Sequence, residues 1–166
     1  VGGGSAGGSA NCTTTATNNV DMTLNNVDTR AYISGLSSTQ TLAVKFLPTR
    51  NNGAAGVQQF VNMVASWPLP GYPVPLGATI QVSECPGDFV TTPPTANPGT
   101  CGFYTPAQPA TISTGTTAIT PSWYCKLDPT KAYYFNVKLQ DTTGASMCPG
   151  SCGFMVDTSY NSGPPQ

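Results

Sequence analysis

Histidine does not occur anywhere in the 166 residues, and glutamate occurs once, as Glu84. Without imidazole the chain cannot build a Ser-His-Asp relay, a copper-binding histidine brace or an HExxH zinc helix. No S-x-x-K pattern offers a serine-lysine alternative, and no glycine-rich phosphate loop follows a strand pattern. Charge of either sign is scarce, at 8% of residues against a usual share of about 25%. The six basic residues, Arg30, Lys45, Arg50, Lys126, Lys131 and Lys138, form no cluster, and the net charge is −1. Nothing electrostatic therefore favours nucleic acid or an anionic membrane as a partner. No apolar run reaches the roughly 18 residues of a bilayer span, so no membrane insertion is expected. Nor does a basic-then-apolar leader open the chain; a secreted origin would imply cleavage or excision.

What fills the surface instead is Asn, Thr, Ser and Gly, a composition common in extracellular β proteins. The six cysteines are Cys12, Cys85, Cys101, Cys125, Cys148 and Cys152. A cysteine-only zinc site needs paired short spacings, whereas Cys148-Pro-Gly-Ser-Cys152 has three intervening residues and no CxxC partner. Disulfides are the better reading, and they imply an oxidising compartment. Locality suggests Cys85 with Cys101, leaving Cys12, Cys125, Cys148 and Cys152 to pair among themselves.

Val1 to Ala10 (V-G-G-G-S-A-G-G-S-A) has the composition of a flexible linker. Order there requires a host, such as its own domain or a neighbouring subunit, because fixing backbone costs about 1–2 kcal/mol per residue. This marks Val1, Gly2, Gly3, Gly4, Ser5 and Ala6 as a candidate assembly segment. The body reads as strands: 20–24, 31–34, 41–47, 57–67, 78–82, 110–119, 122–126, 132–139 and 153–157. Gly35-Leu36-Ser37-Ser38 reads as a turn, Pro68 to Pro75 as an extended loop, and Thr91 to Pro109 as mostly irregular because of its prolines. The expectation is an all-β, disulfide-stapled antiparallel β-sandwich of immunoglobulin-like or jelly-roll topology over residues 11–160. Residues 1–10 and 161–166 are then tails, and no cofactor is called for.

Glu84-Cys85-Pro86-Gly87-Asp88 could be chemistry or architecture. A reactive cysteine wants a base or a positive neighbour, and here its neighbours are acidic. Two carboxylates four apart could serve glycoside hydrolysis, but Pro-Gly bends the chain between them. A turn needs less: a strand ends, Pro-Gly reverses the chain, Asp88 satisfies turn amides and Cys85 staples the loop. We therefore expect no catalytic residues.

Aromatic rings on rigid loops are the remaining signal. Trp67, Tyr72 and Tyr104 border proline-rich segments and could stack on a glycan, whereas Trp123, Tyr134 and Phe135 read as core. For metal, calcium is the best choice because loop oxygens suit a hard cation, with Asp21, Asn25, Asn26 and Asp28 as candidate ligands, although acids so spaced usually just solvate a strand rim. Asn11-Cys12-Thr13 fits the glycosylation acceptor pattern, which matters only in a eukaryotic secretory host.

The segment V-S-E-C-P-G-D-F (82–89) followed by C-K-L-D-P-T-K-A-Y-Y-F-N-V (125–137) resembles a pattern in uncharacterised exported bacterial proteins. In those, a CPGDF segment precedes a C-x-L-x-P…YY-x-N hairpin. The resemblance implies a secreted or cell-surface bacterial β module and carries no known activity. Together these readings lead to a structural subunit of a surface fibre or appendage that self-associates. The alternative is a carbohydrate-binding or adhesive module of a larger parent protein.

Overall fold

The segment A-Y-Y-F-N-V-K-L has the strongest strand character in the chain, and it forms β9, Tyr133–Lys138. Tyr133, Phe135 and Val137 point inward and are fully buried, as two-residue periodicity demands. Burial of each such side chain contributes about 1.5–3 kcal/mol. The computed structural model describes residues 11–23, 29–48, 59–96, 99–106, 109–116 and 122–162. Around β9 lie β1 (Asn18–Asp21), β2 (Thr29–Ser37), β3 (Thr41–Phe46), β4 (Gln59–Ser66) and β5 (Ala78–Ser83). They are joined by β6 (Gly102–Thr105), β7 (Ala110–Gly115), β8 (Cys125–Lys126) and β10 (Ser151–Ser162). Among the described residues there is no helix.

The strands form two five-stranded sheets, ordered β1-β3-β9-β5-β6 and β2-β10-β4-β7-β8. Leu42, Phe46, Ile80 and Phe135 of the first sheet share one hydrophobic cluster with Leu36, Met63, Ile112 and Phe154 of the second. Two pairings, β1 with β3 and β7 with β8, are parallel, so the sheets are mixed rather than antiparallel as expected. Side-chain alternation is the same for either strand direction, and the sequence pattern carried no information on that point.

Several boundaries also differ. Gly35-Leu36-Ser37 is not a turn but the last part of β2. Opposite it, the register jumps from Cys152↔Leu36 to Phe154↔Ile33, which leaves one extra residue in β2. Gly35, at φ 84°, absorbs that residue as a β-bulge, and Leu36 beyond it is buried in the core. The proline-rich stretch 91–109 contains β6, an edge strand, where flanking prolines are tolerated. The strand expected over 122–126 shrinks to Cys125–Lys126. The last strand runs on to Ser162, two residues into the segment read as a tail.

All six cysteines are paired: Cys12–Cys85, Cys101–Cys125 and Cys148–Cys152. The expected Cys85–Cys101 bridge is wrong. Cys85 lies beyond the end of β5, where residues 11–16 pass, whereas Cys101 precedes β6 and meets the start of β8. Sequence proximity lost to sheet order. Three disulfides belong to an oxidising environment, and among the described residues no helix is long and apolar enough to cross a membrane.

Candidate functional site

The acidic turn after β5 is organised by a residue from β9. Asn136 belongs to an otherwise apolar strand and is fully buried on the face opposite the core. Its Oδ1 accepts from the Gly87 amide at 2.7 Å, and its Nδ2 lies 2.9 Å from Ser83 Oγ and 3.2 Å from each of the carbonyls of Cys85 and Asp88. One carboxamide thus holds both ends of Cys85-Pro86-Gly87-Asp88. Gly87 has φ 72° and packs on the Thr15 backbone, so the turn accepts only glycine there. This gives a physical reason for CPGD and YY-x-N to occur together: the second motif supplies the amide that closes the first.

The turn's carboxylates face a cleft of about 260 Å³ whose lining includes Asn11, Thr14, Glu84, Asp88, Thr91 and Pro93. Glu84 Oε1 is 2.7 Å from Lys131 Nζ, and that hydrogen bond holds the Lys131 ammonium above its ordinary value. Burial would raise the Asp88 pKa. The amides of Thr91 and Val90 and the Thr91 hydroxyl outweigh it, and the carboxylate is held below its ordinary value. An acid–base pair needs environments that drive two carboxyls apart; here one is fixed as an anion and the other is engaged by a lysine. The geometry is that of a braced turn.

The predicted aromatic platform does not assemble. Trp67 is 5% exposed and belongs to the core, so neither face of its indole is open to a sugar; β4 delivers it inward on the same side as Met63 and Ala65. Tyr72 remains partly exposed and rests against Gly153, whose lack of a side chain makes room for the ring. Tyr104, half-buried, turns its hydroxyl onto the Met147 sulfur at 3.3 Å. Trp123, expected in the core, is 73% exposed and meets Tyr124 edge-on. It precedes the two-residue β8 and so has no strand to carry it inward. Tyr134 and Phe135 divide as their alternation requires, the second buried and the first partly exposed.

Asp21 engages one of its carboxylate oxygens within its own turn. Its Oδ1 accepts from the amide and hydroxyl of Thr23 at 2.9 and 2.6 Å, and no group of three or more metal-ligating side chains occurs among the described residues. Asn25, Asn26 and Asp28, and the segment Val1 to Ala10, lie outside the described residues. Asp128 and Asp141 repeat the D-x-T arrangement with Thr130 and Thr143. With Asp88, four of the six aspartates therefore cap their own turns.

A second surface went unnoticed in the sequence. Alternation in β2 turns Arg30, Tyr32 and Ser34 outward, and β10 sets Asp157 opposite Arg30. The Arg30–Asp157 contact is bidentate, Nε to Oδ1 at 2.5 Å and Nη2 to Oδ2 at 3.2 Å. Asp157 first, and then the Tyr32 hydroxyl, hold the guanidinium above its ordinary value. Tyr32 itself is 65% exposed. An arginine and an aspartate 127 positions apart leave no local signal; an exposed tyrosine in an alternating strand was the available clue. No protein-family model, curated protein or solved structure matches the chain.

Proposed function

We propose that this chain is a non-catalytic, exported structural subunit of a surface fibre or appendage, its two sheets packed as a jelly-roll sandwich. The topology supports the sandwich. The antiparallel pairs β5–β6, β4–β7, β3–β9 and β2–β10 nest inside one another like one long hairpin. The further pairs β5–β9 and β4–β10 roll that hairpin into two sheets. An immunoglobulin-like order does not fit this nesting.

The observation that carries the functional reading is the inequality of the four sheet edges. β1 and β6 have 4 residues each and β8 has 2, lengths too short to template much pairing. β2 has 9 residues and, among the described residues, a single ladder neighbour. A long open edge is a pairing surface that isolated proteins usually blunt. The ten-residue Gly/Ser/Ala tail matches it in length, since an added strand advances about 3.3 Å per residue. Small side chains let such a segment lie against a neighbour without pockets, so backbone hydrogen bonds carry the contact. Cys12–Cys85 fixes the tail's departure beside the first sheet, whereas the open edge belongs to the second. Donor and acceptor on different surfaces make a heterologous contact, which propagates into a filament rather than closing a dimer.

Deletion of residues 1–10 tests this reading. Polymers of the full chain in negative-stain images, absent from the truncated chain and capped by excess free tail peptide, are the expected result. Polymers that persist after truncation refute the tail as donor. A second reading, a carbohydrate-binding or adhesive module, is favoured by the exposed rings of Tyr32, Tyr72 and Trp123. Of the rings singled out from sequence, only Tyr72 remains a candidate for that role.

A further inference from the structure

We infer that the outer face of the β2–β10–β4 sheet is a binding site for a neutral glycan, with Tyr32 as its stacking surface and the Arg30–Asp157 pair as its hydroxyl clamp. The three side chains share one face because Arg30 and Tyr32 are two residues apart on β2 and Asp157 is the register partner of Arg30. They line a shallow groove of about 550 Å³ with Thr29, Thr158 and Ser159. Across the sheet the face continues through Met155 beside Tyr32, Val64 beside Asp157, and Asn62 beside Ser159. Two apolar side chains, Met155 and Val64, thus adjoin Tyr32 and the ion pair on this face.

A pyranose ring has the complementary form. Its C–H face suits an open aromatic ring, whose quadrupole places negative charge above the plane. Its hydroxyl rim asks for adjacent donors and acceptors. A guanidinium carries five N–H donors in a fixed plane, and a carboxylate has about four lone-pair positions. The bidentate Arg30–Asp157 contact uses two of each, and the Tyr32 hydroxyl engages one further Arg30 donor. The remainder lie side by side, so one hydroxyl of a vicinal pair can accept from Arg30 while its neighbour donates to Asp157. Because the pair is internally neutralised, it offers no net attraction to an anion and selects against uronic acids, sulfated sugars and phosphates. A surface ion pair of this kind adds little to stability. The fold therefore does not require it.

This inference gives the glycan-binding reading a location and is independent of the tail and the β2 edge. The test uses the full 166-residue chain with neutral gluco-, manno-, galacto- and xylo-oligosaccharides, and with sulfated and uronic-acid oligosaccharides as controls. Array binding is followed by saturation-transfer NMR. The expected result is binding of at least one neutral series and none of the anionic controls. Affinity is expected to fall about tenfold in Tyr32→Ala and in Asp157→Asn, with retention in Tyr32→Phe. Both altered side chains are on the surface, and unchanged circular dichroism verifies that the variants fold. Binding that survives both changes but disappears in Tyr72→Ala keeps the module reading and overturns this site. Absence of binding to every neutral series overturns both, and a preference for the anionic controls overturns the clamp.

Discussion

Replacing Asn136 by alanine is expected to loosen the molecule more than any other single change on the outer face of the first sheet. The substitution removes the acceptor for the Gly87 amide and the donors to Ser83 Oγ and the carbonyls of Cys85 and Asp88. A primary amide has two N–H hydrogens, so about three good hydrogen bonds are lost in all. Each contributes about 1 kcal/mol net, and every buried group left unpaired costs about 1–3 kcal/mol. Cys12–Cys85 still tethers the turn, which lets part of it relax toward water. A loss of about 3–5 kcal/mol follows, or a fall in Tm of about 6–20 °C for a domain of this size. Calorimetry with the disulfides intact reads the Tm, and amide exchange at Gly87 reads the local opening. Gln140→Ala is the control, since its partly exposed side-chain amide makes one bond, to Ser38 O, worth about 1 kcal/mol. If Asn136→Ala lowers Tm by no more than Gln140→Ala, and Gly87 exchange is unchanged, the side chain is not what closes the turn.

Two further outcomes follow from the loops and the turns. The disulfides close loops with separations of 73, 24 and 4 residues, which chain entropy ranks at about 4.4, 3.5 and 2.1 kcal/mol. Paired Cys→Ser variants compared by urea unfolding should therefore lose stability most for Cys12/Cys85 and least for Cys148/Cys152; the reverse order contradicts the entropic account. Asp21, Asp88, Asp128 and Asp141 all have carboxyl pKa values below the ordinary one. A depressed carboxyl contributes stability that is full above the unfolded value, about 3.9, and is lost as pH falls through the folded value. Tm is thus expected to hold from neutrality to about pH 5 and to fall below about pH 4. NMR titration of Asp88 to a value at or above that of a model peptide contradicts the turn chemistry.

The unequal yield of sequence reasoning has a physical pattern. Strands such as Thr41–Phe46 and Tyr133–Lys138 were legible because half-buried extended backbone imposes a two-residue rhythm. Gly35 was misread because a glycine at positive φ serves a turn and a bulge equally well, and only the register opposite it tells them apart. The two tryptophans exchanged roles: Trp67 followed a strand into the core, and Trp123, ahead of a two-residue strand, did not. Asn136 is an amide among mostly apolar neighbours and drew no reading from the sequence. Its partner, the turn about 50 residues earlier, could not be read from it.

By itself the sequence determined the secondary-structure class, the oxidised state of its sulfurs and the chemistries excluded by a lack of imidazole and charge. These depend on composition and on contacts between near neighbours. Tertiary structure decided which cysteines bond, which strands run parallel, which strands stand at the sheet edges among the described residues and which face unites Arg30, Tyr32 and Asp157. Each of these is a pairing between distant positions, fixed by the order in which the strands pair within the two sheets. Local propensity has no term for that order.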